Sequence, residues 1–294
     1  MIRFADWGMR GELARIWQIC FDEPARPANY FLNNYFSPKD CLIYPIDDEI
    51  AAVVYLLPAQ IVADLKPVQA HYIFAAAALP KYRSHGYMAA LLAEAFSAGE
   101  DRGDKYSVVL PATRGLYPLY KKAGYTSFFQ ITTLPVSLGQ MCDIAESGQI
   151  SNTILDYHQL NSLRNTHLAG KNGSVLWSEE AVCFAVGMGK VYGDRLVCSR
   201  TGDQLAYALC RRIDENTCKV MEIMADTNTI ADLAANIISA MPAQTYLVRL
   251  ENDSRVFEQQ GEKSTYGMVK PLGGASIQPL QQNSVAPYLG LALD

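Results

Sequence analysis

Apolar residues recur along this chain with two periods, and the switches between them mark its elements. Leu13, Ile16, Trp17 and Cys20 in GELARIWQICF fall at helical spacing. The next stretch, DEPARPANYFLNNYFSPKD, is broken by prolines yet carries Tyr30, Phe31, Tyr35 and Phe36, and predicts a short helix or loop flanking a pocket. CLIYPI and IAAVVYLLPAQI read as strands joined through Asp47-Asp48-Glu49, a hairpin signal. AHYIFAAAALP predicts another strand, followed by a helix from about Gly86 to Gly103. YSVVLPA is an apolar strand, RGLYPLYKKAG a short helix and YTSFFQITTLPV a further strand. Two successive strand–helix units predict parallel neighbours in a mixed sheet with helices packed on it, an α/β (α+β) architecture.

A shift in composition at GQMCDIAESGQISN, residues 139–152, predicts a linker between a domain over 1-138 and a second over 152-294. Beyond it LDYHQLNSLRNTHL reads as a helix. DRLVCSRTGDQLAYALCRRIDENTCKVMEIMA reads as three strands separated by turns at Thr201-Gly202-Asp203 and Asp214-Glu215-Asn216. TIADLAANIISAM is a helix, QTYLVRL a strand, and STYGMVKPL and APYLGLALD are late strand candidates. The order of the first half returns (helix, meander, strand–helix–strand) without a sequence repeat of fixed short period.

Composition narrows the function classes. At 294 residues, 50% hydrophobic and 19% charged, the chain buries a sizeable core as one large domain or two ordinary ones, so it needs no metal or disulfide staple. A net charge of −5 argues against a general nucleic-acid binder, which carries a basic face, but leaves room for a local basic pocket. The seven cysteines, Cys20, Cys41, Cys142, Cys183, Cys198, Cys210 and Cys218, are odd in number and form no CxxC pair, which fits small buried hydrophobes in a reducing compartment. The opening MIRFADWGMR lacks a signal pattern, and no apolar run reaches the roughly 18–20 residues that span a bilayer. A cytoplasmic protein with no membrane partner is expected. His71, His85, His158 and His167 have no metal-ligand spacing, so no metal is expected either.

The candidate chemistry sits in IFAAAALPKYRSHGYMAALLAEAF, Ile73 to Phe96. A strand that ends in a glycine-containing turn opening a helix presents free backbone N–H groups and the positive end of a helix dipole, a phosphate site. Lys81 and Arg83 add positive charge, Gly86 permits close approach of the backbone, and the small side chains of Ala75 to Ala78 leave room for a ligand along the strand edge. About thirty residues on, GLYPLYKKAGY follows the strand YSVVLPA.

Together, in this order and spacing, ALPKYRSHGYMAALL and LYKKAGY resemble the paired motifs of the GNAT superfamily of N-acetyltransferases, over roughly residues 1–135. The resemblance implies a GNAT fold, a mixed twisted sheet flanked by helices, with acetyl-CoA as cosubstrate and an amine of a small molecule or peptide as acceptor. It implies that backbone amides of Arg83, Ser84, His85, Gly86, Tyr87, Met88 and Ala89 hold the CoA diphosphate, with the Arg83 side chain nearby. It further implies that the strand Ala76, Ala77, Ala78 bonds the pantetheine arm and that an amide near Ala78 polarises the thioester carbonyl. Tyr120 would protonate the leaving thiolate, a role suited to a phenol that is a donor at neutral pH. Met88 stands where the superfamily has Gly or Ala. Tyr117 and Tyr125 read as packing residues. Asp22 and Glu23, with the aromatic Tyr30 and Phe31, are candidates for drawing in a cationic acceptor; no general base is singled out. Three activities stay open at this point: acetyl transfer to a primary amine, transfer of a longer acyl group, and a non-catalytic CoA-binding or sensing module.

In the second half, the place equivalent to the phosphate turn is EIMADTNTIADLAANI. It has neither glycine nor arginine, Asp226 and Asp232 would oppose a diphosphate, and Asp226 or Thr227 reads as an N-cap. The two-part plan resembles the enhanced-intracellular-survival family of acetyltransferases. That resemblance implies a degenerate second GNAT-like domain, which does not hold CoA and completes the acceptor pocket or braces the first; the sterol-carrier-like third domain of that family has no counterpart here. It also raises Asp294 as a terminal carboxylate base, against a plain edge strand at APYLGLALD.

Overall fold

The computed structural model describes residues 1–252, 254–257, 261–282 and 286–291. In chain order its strands and helices begin with β1 (Arg3–Phe4), α1 (Arg10–Phe21), α2 (Ala25–Asn34), β2 (Cys41–Ile46), β3 (Glu49–Ala63) and β4 (Lys66–Ala78). Then come α3 (Tyr87–Asp101), β5 (Tyr106–Val109), α4 (Tyr117–Lys122), β6 (Thr126–Ser127), β7 (Gln130–Ser137), α5 (Leu138–Ile144) and α6 (Tyr157–Leu168). The chain continues with β8 (Val175–Leu176), α7 (Glu179–Val191), β9 (Arg195–Thr201), β10 (Gln204–Arg212), β11 (Thr217–Met224) and α8 (Ile230–Ala240). It closes with β12 (Thr245–Leu250), β13 (Glu262–Thr265), β14 (Met268–Pro271) and α9 (Gln278–Gln281).

Two compact units result, and each is built from separate stretches of the chain. The first comprises Met1–Phe128 with Gly267–Gln282; the second comprises Phe129–Tyr266 with residues 286–291. This division differs from the one read at 139–152. There the capping box of Ser137 and Gln140 starts α5 instead of a linker, and β7 already belongs to the second unit. YTSFFQITTLPV, expected as one strand, is two: β6 in the first sheet and β7 in the second. STYGMVKPL likewise splits at Tyr266-Gly267 into β13 and β14, one in each sheet. Residues 286–291 are not a strand, and Asp294 lies outside the described residues. The helix α7 had no counterpart in the periodicity: Ala181 to Gly189 is buried except at Cys183, so no amphipathic stripe marks it.

The sheet of the first unit runs β1-β2-β3-β4-β5-β14-β6. Its β2, β3 and β4 form an antiparallel meander, while β4 and β5, joined through α3, are parallel. The second expected parallel pair does not form, because β14 enters between β5 and β6, antiparallel to both. Period-two alternation places Val54, Leu56 and Ile73 on one face, in a core with Leu91, Leu92 and Ala95 of α3. Tyr55 and Phe74 belong instead to an aromatic cluster with Trp17 of α1 and Phe31 of α2. At the far end of β4, buried His71 meets Asp104 through Nδ1 at 2.8 Å, and Arg102 links Asp104 to Asp40. Gly99 is required there, since a Cβ on it would lie 2.6 Å from the His71 ring.

The second sheet runs β13-β7-β12-β11-β10-β9, again an antiparallel meander (β9, β10, β11) continued by a parallel pair (β11, β12) through α8. Leu233, Ala234 and Ile237 of α8 pack on Val220, Tyr246 and Val248. Within this unit a fully buried Arg164–Glu222 pair is satisfied on every side: Arg164 donates to the carbonyls of Val175 and Leu289, while Glu222 accepts from Tyr207 and from the Leu291 N–H.

Candidate active site

The first unit opens along the edge of β4. Its parallel ladder with β5 holds four rungs, Ala70↔Tyr106 to Ile73↔Val109, and stops there, although β4 continues to Ala78. Directly beyond the last rung β4 bulges. Val53 pairs with Ala77 and Tyr55 with Phe74, so Ala75 and Ala76 both face Val54. Ala75 takes φ of 44°, a strained value for a residue with a side chain. The bulge turns β4 away from β5, and among the described residues no strand faces the backbone of residues 74–78 on that side.

The chain then reaches the basic turn. Ser84 and Gly86 both adopt left-handed conformations, φ of 64° and 83°, so consecutive N–H groups line a concave nest rather than a ladder. Gly86 is the N-cap of α3, and no side chain caps the helix; the first intrahelical bond is Ala90 N–H to the Gly86 carbonyl. The amides of Tyr87, Met88 and Ala89 therefore remain as free donors at the positive end of a 15-residue helix with no acidic residue in its first turn. A Cβ placed on Gly86 would meet nothing within 4 Å, so the space before the nest is open.

Side chains around the turn divide by role. Arg83 donates through Nε to the Ala78 carbonyl at 3.1 Å, and the Cys20 thiol meets the same oxygen at 3.4 Å. Cys20 thus does more than fill space, the one duty its sequence context suggests; burial raises its thiol pKa, which the nearby Arg83 partly offsets. Lys81, expected to add charge to the nest, instead pairs with Glu49, which also takes Arg15 and the Tyr82 hydroxyl. His85 is exposed and its Nδ1 lies 2.8 Å from the Arg83 carbonyl, which requires the proton on Nδ1. Its ring stacks on Tyr87, which packs in turn on Tyr44 at 4.5 Å. Met88 is half-buried and packs against the core that α3 forms with the sheet.

Tyr120 stands in α4, 5% exposed, in the same core cluster as Ile73 and Val109, the last rung between β4 and β5. Its ring packs edge-on to Tyr125 at 5.6 Å, and no group among the described residues hydrogen-bonds its hydroxyl. Burial pushes its pKa up to about 12. Tyr125 differs: its hydroxyl is paired with Ser107 at 2.5 Å.

The acceptor-side residues do not converge equally. Asp22 is exposed at the C-terminus of α1, in a left-handed conformation. Glu23 accepts the Trp17 indole N–H at 2.7 Å, and Tyr30 is half-buried. Phe31 has no exposed surface; its ring is closed in by Trp17, Tyr55 and Phe74, so it braces the segment from beneath. In the second unit Asp226 is not the N-cap of α8 but sits three residues before Thr229, the N-cap, and receives the N–H groups of Asn228 and Thr229. Among the described residues no cluster of three His, Cys, Asp or Glu could hold a metal, and no helix is long and apolar enough to cross a membrane.

Comparison with known proteins agrees with this geometry. The family profile of the acetyltransferase (GNAT) domain matches residues 2–128. A search of the curated proteins finds no match. Among solved structures, a GCN5-related N-acetyltransferase from Kribbella flavida is similar at 15% identity and a TM-score of 0.71, over 92% of this chain and 70% of that one. Another, from Anabaena variabilis, gives 13% identity and 0.73, over 93% and 73%. Eis1 from Mycobacterium abscessus gives 11% identity and 0.65, over 92% and 73%. At such identities the likeness is one of fold, and it spans both units. Residues 2–128 thus match an acetyltransferase (GNAT) domain, and the fold of the chain as a whole is similar to that of Eis1.

Proposed function

We propose that the first unit binds acetyl-CoA and transfers its acetyl group directly to a primary amine of a small molecule or peptide. The observation that supports this most is the gap beyond the last β4–β5 rung, adjoining an uncapped helix N-terminus whose nest has open space before it. These groups fit the cosubstrate. Amides of Ser84 to Ala89 suit a diphosphate, with the Arg83 side chain beside them and the Arg83 N–H already donated to the Pro80 carbonyl, and the β4 edge beyond the last β5 rung, at Ala76 and Ala77, suits the amide groups of pantetheine. In the reaction the amine lone pair forms the new C–N bond at the thioester carbonyl carbon, the C–S bond breaks, and the thiolate takes a proton. Tyr120 serves as that donor, since a phenol held near 12 is protonated at neutral pH. Asp22, Glu23 and Tyr30 form the acidic, aromatic side that draws the amine in as a cation; it gives one proton to water before attack and a second as the amide forms, which restores Tyr120. The second unit, with Asp226 at its corresponding turn, does not hold CoA. A cytoplasmic location, where acetyl-CoA is at hand, accompanies this reading.

Calorimetry with acetyl-CoA and a thiol-release assay across an amine panel test it. Saturable binding with turnover on at least one amine is expected. Absence of acetyl-CoA binding would overturn the assignment. Binding without turnover on any amine would make the unit a CoA-binding module, and turnover with longer acyl-CoA alone would change the donor.

A further inference from the structure

Beyond the carboxyl ends of β11 and β12, the second unit contains a cavity of about 250 Å³. The parallel ladder of these strands ends at Val220↔Val248, while β11 continues to Met224 and β12 to Leu250. The crevice outside the carboxyl ends of parallel strands is where open α/β sheets take their ligands. Here it has no glycine nest. Ile223, Leu250 and Val256 supply apolar lining, and His167, Lys171 and Glu251 form one polar wall. Three separate segments meet in that wall: the last turn of α6, the turn after it, and the residue following β12.

The one carboxylate of the wall is already engaged. Glu251 is nearly buried, and both its oxygens are engaged: Oε1 by His167 Nε2 at 2.6 Å, Oε2 by Lys171 Nζ at 2.5 Å. Burial alone would raise its pKa, but the His167 hydrogen bond and the Lys171 charge outweigh burial and hold it down, so Glu251 is a carboxylate. Lys171 Nζ also lies 2.9 Å from His167 Nε2, so two donors crowd one acceptor. The other acid of the cavity, Asp226, has its Oδ1 committed to the backbone of Asn228 and Thr229. Arg255, exposed on the loop after β12, adds a further cation with no ion pair among the described residues. An anion entering here finds unspent donors on one side and a dry surface on the other.

We propose that this cavity is a second ligand site, for a small monocarboxylate with a short apolar chain. Its carboxylate would be held by Lys171, His167 and Arg255, and its chain would lie on Ile223, Leu250 and Val256. The volume suits a small molecule, being below the roughly 300–1,000 Å³ of sites for drug-sized ligands. The proposal is independent of acetyl transfer by the first unit.

Butanoate titrated into the full chain tests it, followed by calorimetry and by the His167 ring signals in NMR. Butanamide serves as the uncharged counterpart and inorganic phosphate as an anion without a chain. Saturable butanoate binding that shifts His167 is expected, with butanamide and phosphate each at least about tenfold weaker, the scale of one charge-assisted hydrogen bond. Lys171→Met should weaken butanoate by a similar factor while acetyl-CoA binding stays unchanged. If that variant loses its circular-dichroism spectrum, Arg255→Gln, at an exposed position, decides by the same measurement, with an affinity loss expected. No saturable butanoate binding, equal binding of butanamide or phosphate, or unchanged affinity in the folded variants would each overturn the proposal.

Discussion

At the scale of single residues, two positions carry distinct and separable expectations. Tyr120 has a hydroxyl with no hydrogen-bond partner among the described residues, so Tyr120→Phe removes a proton donor without orphaning a neighbour. Turnover should fall by about 10²–10⁴, the usual contribution of a general acid, with acetyl-CoA affinity and melting temperature unchanged. Equal turnover in the variant would remove the acid role. Gly86 differs because its contribution lies in the backbone. A Cβ there is sterically free, but φ of 83° disfavours a branched side chain by roughly 1–3 kcal/mol, enough to re-aim the nest. Gly86→Val should weaken acetyl-CoA about tenfold or more while leaving the fold intact, measured by calorimetry and circular dichroism. The residues proposed for this site, Gly86, Arg83 and Tyr120, are legible as candidates in the sequence because they lie in short motifs whose order in the chain is itself informative. Pairing at a distance is not. Nothing near Lys81 announces Glu49, and nothing near His167 announces Glu251, 84 residues on.

At the scale of elements, the β4–β5 pair and both meanders are readable from apolar runs and turn residues, whereas the second parallel pair expected in the first unit is displaced by β14, a strand from far along the chain. Periodicity carries no signal for α7, buried almost all round, or for α5, hidden in a polar stretch. The two units echo each other in one local device: Gly99 to Asp104 and Gly189 to Asp194 share the pattern G-x-x-x-G-D. In each, the aspartate N–H returns to the first glycine's carbonyl, and its carboxylate meets an arginine, Arg102 or Arg211. In the first unit this device also engages His71, and that fixes an acid limit. Burial lowers the His71 pKa more than Asp104 raises it, so the unfolded chain takes up a proton that the folded chain refuses. Stability from this source is complete above about pH 6.5 and declines as pH falls through the histidine range. Burial would raise Asp104, but bonds from His71 and Arg102 hold it low, so its contribution is lost further down, below about pH 4. Melting temperature should drop between pH 7 and 5, and His71→Gln should flatten that slope. A slope unchanged by the substitution would assign the acid sensitivity elsewhere.

For the whole molecule, the telling observation is that neither unit is a continuous stretch of chain. The strand flanking β5 in the first unit is β14, from residues 268–271, and the strand flanking β12 in the second is β7, from residues 130–137. A cut at either end of the segment read as a linker therefore removes an interior strand from a sheet. A chain truncated after residue 266 retains both sequence motifs of the GNAT domain yet leaves β5 with an unpaired edge. It should lose cooperative unfolding in denaturant and lose acetyl-CoA binding with it, whereas a truncated chain that melts sharply and binds would show β14 to be dispensable.

The same exchange of strands sets a clock on biosynthesis. Val109 leaves the ribosome about 160 residues before its partner Met268, on the order of ten to thirty seconds at 5–20 residues per second. Throughout that interval the nascent half offers an adhesive, hydrogen-bond-hungry margin to whatever drifts past, so the yield of this protein should respond to chaperone supply and translation speed before it responds to temperature.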